Sequence, residues 1–239
     1  MKFLVIKHVV VEGLGVFESL CNQANIDVDY VELEKGDSFP SLDGYSALWV
    51  MGGPMKVGDT DDYPWLVEEK ELIRQAIQDY QLPFMGICLG SQLLADALGG
   101  TVGVMATPEV GLLPIELTTV GQTHLLLAGL PKTYPVLHWH GQEVKQLPPG
   151  ATLLATSPQC SVQAFAVNAQ TFGIQFHSEV TEVTVGDWVQ MPAYRTDLEA
   201  TLGPTGCDDL HQAVVAQLPQ MNQAAKTTFE NFLKIINQS

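Results

Sequence analysis

Cys88 stands in the run Gly86-Ile87-Cys88-Leu89-Gly90, with an apolar stretch before it and an amphipathic one after it. A nucleophile between two spaced glycines is the pattern of a sharp turn from strand to helix. The small neighbours remove Cβ clashes and leave the nucleophile projecting at the carboxyl end of a sheet. A thiol placed there also meets the unpaired N–H groups and the positive end of the helix, which favour the thiolate. A base is available downstream: Phe172-Gly173-Ile174-Gln175-Phe176 reads as a strand that delivers His177 and, two residues on, Glu179. In an extended chain those two side chains face the same way. The carboxylate would then orient one ring nitrogen while the other faces the thiol. Nucleophile first and base last suits an α/β site. Met51-Gly52-Gly53-Pro54 follows a third apolar run. Backbone amides at Gly53 and Leu89 would aim two donors at a developing oxyanion, a contribution of roughly 3 kcal/mol per donor. The chemistry so assembled is acyl transfer through cysteine.

These residues need a sheet to bring them together, and the chain supplies one. Expected strands at Phe3 to Val10, Asp27 to Leu33, Tyr45 to Met51 and Pro83 to Ile87 alternate with expected helices at Val16 to Gln23, Trp65 to Tyr80 and Leu89 to Leu98. That alternation marks β-α-β units wound into a mainly parallel sheet. After Gly100 strand-turn patterns take over, at Thr101 to Met105, Gly111 to Thr118, Tyr134 to Trp139, Ala151 to Ala155, Val162 to Val167 and Thr171 to Phe176. They would complete the same sheet as extra or antiparallel strands. Thr181 to Leu202 reads as helical or irregular, Gly203 to Gly206 as a loop, and Gln220 to Ile236 as a final helix. The expectation is a single α/β domain over 1–239, with helices on both faces, a catalytic core over about 1–184 and a helical segment over about 185–239. A chain of this size can bury one sizeable core.

With 11 Lys+Arg against 27 Asp+Glu the formal charge is -16, which repels phosphate backbones and anionic lipid. Neither nucleic acid nor membrane is an expected partner. The opening run Met1-Lys2-Phe3-Leu4-Val5-Ile6-Lys7-His8 is too short for a signal core and carries no cleavage pattern, so a cytoplasmic location is expected. Cys21, Cys88, Cys160 and Cys207 lie far apart with no C-x-x-C spacing, which suggests neither a disulfide framework nor a zinc knuckle. No cofactor or metal is expected. Gly13-Leu14-Gly15 lacks the third glycine of a dinucleotide fingerprint, and Asp59, Asp61 and Asp62 read as a solvated loop before Pro64. His138 and His140 read as partly buried at a strand end, with no third ligand evident.

Taken together, Gly52-Gly53-Pro54, Gly86 to Gln92 and Gly173 to Thr181 resemble the class I glutamine amidotransferases. Within that family the likeness is to the glutaminase domain of GMP synthetase and its stand-alone relatives, from the first strand to about Thr184. The resemblance implies a flavodoxin-like fold and attack by Cys88 on the side-chain amide of glutamine. A glutamyl thioester, release of ammonia, and hydrolysis by water activated through His177 would follow. It implies that Gln92 contacts the substrate. His138-Trp139-His140-Gly141-Gln142 is similar to the family's Trp-His-Gly-Asp loop, which places Trp139 and His140 near the α-amino and α-carboxylate groups. Ser178 stands where the family has proline, with the triad spacing unchanged, and Gln142 stands where it has an acid.

The missing acid motivates a second expectation, a γ-glutamyl peptidase or hydrolase acting on an amide larger than glutamine. A third is a binding protein on this scaffold that no longer turns over, against which the intact set Cys88, His177 and Glu179 argues. No G-x-x-x-x-G-K-[ST] run is visible, so a synthetase that accepts the ammonia would be a separate protein.

Overall fold

The structure, a computed structural model, describes residues 1–238. A nine-stranded mixed sheet runs through one α/β domain. Its strands are β1 (Lys2–Lys7), β2 (Asp27–Glu32), β3 (Ala47–Val50), β4 (Phe84–Ile87), β5 (Thr101–Leu117), β6 (Thr133–Gln146), β7 (Thr152–Thr156), β8 (Ala164–Asn168) and β9 (Thr171–Ile174), in the order β2-β1-β3-β4-β9-β8-β7-β5-β6. The half from β2 to β9 is parallel throughout. The half from β9 to β6 is antiparallel.

Among the described residues seven α-helices cover it: α1 (Val16–Gln23), α2 (Trp65–Gln78), α3 (Leu89–Ala97), α4 (Thr119–Thr123), α5 (Thr184–Trp188), α6 (Pro192–Leu202) and α7 (Gly206–Ile236). The inner parallel strands β1, β3, β4 and β9 are buried on both faces because both faces are covered, whereas β2 at the sheet edge carries Asp27, Asp29 and Glu32. Phe3 and Val5 of β1 point into a core shared with Phe17 of α1 and Phe229 and Phe232 of α7. Leu4 and Ile6 point into the opposite core, against Leu66 and Ile73 of α2 and Leu93 of α3. Trp49 centres the first core, with Phe17 and Phe232 edge-on at 5.0 and 5.4 Å. A third cluster, of Trp139, Trp188, Tyr194, Leu198, Leu210 and their neighbours, lies between the β5–β6 hairpin and α5–α7. Among the described residues no helix is long and apolar enough to cross a membrane.

Several boundaries differ from expectation, each for a physical reason. β1 stops at Lys7, and His8 to Val10 turn away from the sheet. The separate strands expected at 101–105 and 111–118 are one strand, β5, paired along β6 with a register shift between Val104 and Glu109. Pro108, which has no N–H to give a ladder, sits inside that shift. The stretch 181–202 resolves into α5 and α6. α7 begins at Gly206 rather than near Gln220 and runs through Pro219. Proline removes one N–H there. Buried Leu210, Val214 and Met221 nevertheless hold both sides of it in the third cluster, so packing outweighs the break.

Candidate active site

Cys88 is where the elbow pattern requires it, between β4 and α3, with φ 51° and ψ -107°. That left-handed backbone is costly for a residue with a Cβ and is held by its surroundings. Cys88 N–H donates to Ile174 O of β9 at 2.7 Å, and Gly90 N–H donates to Met51 O at 3.2 Å. Both flanking glycines are obligatory by space. A Cβ on Gly86 would lie 2.5 Å from Gly90 O, and one on Gly90 would lie 2.1 Å from Val50 O.

His177 is fixed from β6, donating its N–H to Leu137 O at 2.8 Å and accepting from Leu137 N–H at 3.1 Å. Its Nδ1 meets Glu179 Oε1 at 2.6 Å. Burial alone would push this imidazole down, but the Glu179 carboxylate and the Cys88 sulfur hold it well above its ordinary value. Trp188 of α5 packs edge-on against the ring at 4.7 Å and anchors its indole N–H on Val11 O at 3.2 Å. Glu179 is pinned from the other side, where its backbone O accepts from Val16 N–H at 2.7 Å. This contact explains the glycine of Gly13-Leu14-Gly15: a Cβ on Gly15 would lie 2.0 Å from Glu179 O.

Gly53 and Leu89 each carry an N–H that no protein group accepts among the described residues. The positions adjoin, since a Cβ on Gly53 would touch Leu89 Cδ2 at 3.0 Å. The turn that presents Gly53 is clamped by a buried pair which sequence reading missed. His8 Nδ1 lies 2.8 Å from Gly52 O, and its Nε2 lies 3.0 and 3.1 Å from the two oxygens of Glu69. With acceptors on both sides the ring donates twice, as an imidazolium against a carboxylate. Burial would lower its pKa, yet Glu69 and Gly52 O hold it raised. The first residue past β1 and a helical glutamate far along the chain left no spacing signal for this pair.

A cavity of about 220 Å³ opens over the sulfur, its wall including Gly53, Cys88, Gln92, Trp139, His140 and Gln142. Every side chain expected to meet substrate is therefore on it, but several are already committed. Gln92 Nε2 donates to Gln142 O at 3.0 Å and to Gln175 Oε1 at 2.9 Å, which leaves its own Oε1 uncommitted. Gln175 in turn brings its Nε2 to 3.5 Å from Cys88 Sγ, a contact unmarked in the sequence. Trp139 stacks into the aromatic cluster with Trp188 and Tyr194. His140 spends Nδ1 on Gln142 O at 2.9 Å and turns Nε2 to Glu109 Oε2 at 3.1 Å.

Glu109 is also the third ligand-type group beside His138 and His140 that the sequence did not reveal, and all three are buried. Gln163 Nε2, a donor, lies among them at 2.7 Å from Glu109 Oε2, and Ser157 Oγ donates to Oε1 at 2.5 Å. Each oxygen of the Glu109 carboxylate thus has a donor, while His138 Nε2 has no hydrogen-bond partner among the described residues.

The profile of class-I glutamine amidotransferases matches residues 5–188. The chain is 31% identical over 194 residues to the glutamine amidotransferase-like protein YfeJ of Salmonella typhimurium, covering 80% of each. It is 38% identical over 115 residues to a glutamine-hydrolysing GMP synthase subunit of Thermococcus kodakarensis, a match spanning 48% of this chain and 60% of the other. A crystal structure of a glutamine amidotransferase from Thermotoga maritima superposes with a TM-score of 0.86 at 30% identity, covering 97% of both chains.

Proposed function

The chain belongs to the class-I glutamine amidotransferase family, and from that premise we propose that it hydrolyses the side-chain amide of glutamine through a thioester on Cys88. The observation that carries this reading is the buried His177, fixed on Glu179 at 2.6 Å and raised in pKa by that carboxylate and the Cys88 sulfur, together with the unspent N–H groups of Gly53 and of Leu89, the residue after Cys88. The Cys88 sulfur adds to the amide carbon, and the oxyanion formed accepts from Gly53 and Leu89 N–H. His177, protonated beside Glu179, gives its proton to the amide nitrogen; the C–N bond breaks and ammonia leaves. The neutral ring then takes a proton from water, whose oxygen attacks the thioester carbon. The C–S bond breaks, glutamate departs, and the Cys88 thiolate is restored beside protonated His177. Gln92 Oε1 would accept from the amide N–H, with Trp139 and His140 forming the wall beside it. The likeness to a chain of a glutamine-hydrolysing GMP synthase supports a synthetase on a separate chain as acceptor of the ammonia.

A second reading, hydrolysis of a larger γ-glutamyl amide, is favoured by one observation. Gln142 replaces the family's acid, and its Oε1 accepts from Val57 N–H at 3.1 Å. Turnover decides between the two. Purified protein should release glutamate and ammonia in equal amounts from glutamine, and Cys88→Ala should lower the rate by at least about 10³-fold. Activity on γ-glutamyl amides with none on glutamine selects the second reading. A wild-type chain inert toward all of them overturns both.

A further inference from the structure

Glutamine presents its reacting amide at one end and an α-ammonium and an α-carboxylate at the other. A site that recognises it must offer the second end one anion and one cation. The loop expected to do so carries no acid, because Gln142 stands there with its carboxamide oxygen already bonded to Val57 N–H. Its backbone O is likewise taken, by Gln92 and His140. Yet the wall of the Cys88 cavity holds two formally charged side chains, Lys56 and Asp197.

Lys56 comes from the loop that follows Gly52-Gly53-Pro54, and Asp197 from α6, and both line the cavity. They are of opposite sign, and neither side chain has a hydrogen bond or ion pair with the protein among the described residues. In a chain of net charge -16 most cations would find an acidic neighbour. This one has been left facing a cavity. Burial raises the Asp197 carboxyl pKa while the Lys56 ammonium pulls it back, so the two charges are near enough to interact. Tyr194, one turn before Asp197, is buried against Trp139, which fixes this part of α6 against the cavity wall.

We propose that Asp197 and Lys56 recognise the α-ammonium and the α-carboxylate of the substrate, which makes this chain specific for a γ-linked amide that keeps a free amino-acid end. The assignment rests on the reading of Cys88 as acylated by a γ-glutamyl amide. It places substrate recognition on the helical segment beyond residue 184 and gives the acid missing from position 142 a replacement from another element.

The test follows labelling of Cys88, which needs no turnover. The probes are the diazoketone isostere of glutamine, its Nα-acetyl derivative and its α-methyl ester, with iodoacetamide as a thiol control. Wild type should be alkylated at least about tenfold faster by the free amino acid than by either derivative, as expected for a charge-assisted contact. Asp197→Asn should abolish the preference over the Nα-acetyl probe and keep the preference over the ester. Lys56→Met should do the reverse. Both variants should match wild type with iodoacetamide. Equal labelling of wild type by all three probes, or variants that keep both preferences, overturns the inference while the turnover assay with glutamine stands or falls by itself. Retained discrimination in a chain that hydrolyses nothing would sink the glutaminase reading and leave the recognition pair intact. A thiol that reacts with iodoacetamide and with none of the probes overturns both.

Discussion

Glu12 brings a second carboxyl group to the His177–Glu179 pair. It is buried, its Oε2 lies against Gly52 beside the edge of the His177 ring, and its Oε1 has no hydrogen-bond partner. Burial pushes its pKa up from 4.5 to about 7, against the pull of His177 and His8. A pKa raised on folding contributes stability that is complete below the unfolded value and is lost as pH rises through the folded one. Wild type should therefore lose stability between about pH 4.5 and 7 relative to Glu12→Gln, by a maximum of roughly 3 kcal/mol at alkaline pH. Thermal unfolding of both proteins at pH 5 and pH 8 checks this. A constant difference between them would show that Glu12 does not titrate there. At this scale the sequence was informative where chemistry dictates both residue type and spacing: Cys88 between glycines, and His177 two residues before Glu179. It was silent on Glu12, Gln175 and the His8–Glu69 pair. Their partners are set by packing between distant segments, and no local spacing encodes that.

Each residue of the proposed triad is held by a neighbouring element. Cys88 is tied to β9, His177 to β6 and Glu179 to the start of α1. The last of these ties rests on Gly15, with φ 54° and no room for a Cβ against Glu179 O. Gly15→Ala should displace Glu179 from the His177 ring, lowering kcat by about 10²-fold or more while circular dichroism still reports the folded sheet. Unchanged kcat would mean that α1 does not position the carboxylate. The parallel half of the sheet was legible as elements, since buried parallel strands are short apolar runs between helical patterns. The long hairpin of β5 and β6 was not. Its bulge around Pro108 and the exposure of alternate residues broke the pattern into pieces, although the same bulge brings Val104 and Pro108 to the cavity wall.

At the scale of the molecule, α7 joins the central core to the site. Its Phe229 and Phe232 belong to the cluster around Trp49, while its Leu210, Val214 and Met221 support the aromatic residues packed on His177. A chain ended after Thr184 would strip both. Burial of one such aromatic contributes about 2–3 kcal/mol, against a total stability of about 5–15 kcal/mol for a typical domain. The truncated chain should show no cooperative unfolding transition in urea, and a normal transition would mean that residues 1–184 fold alone. The sequence could not reveal this role because Pro219 reads as a helix boundary, whereas apolar contacts on both sides of it carry the helix through. The proposed function turns on one covalent event, and acid-quenched mass spectrometry of the protein mixed with glutamine tests it most directly. A γ-glutamyl adduct should form on the peptide that carries Cys88, should be released by hydroxylamine, and should be absent from Cys88→Ala. Steady release of glutamate with no adduct on wild type, or undiminished release by Cys88→Ala, would contradict a thioester at Cys88.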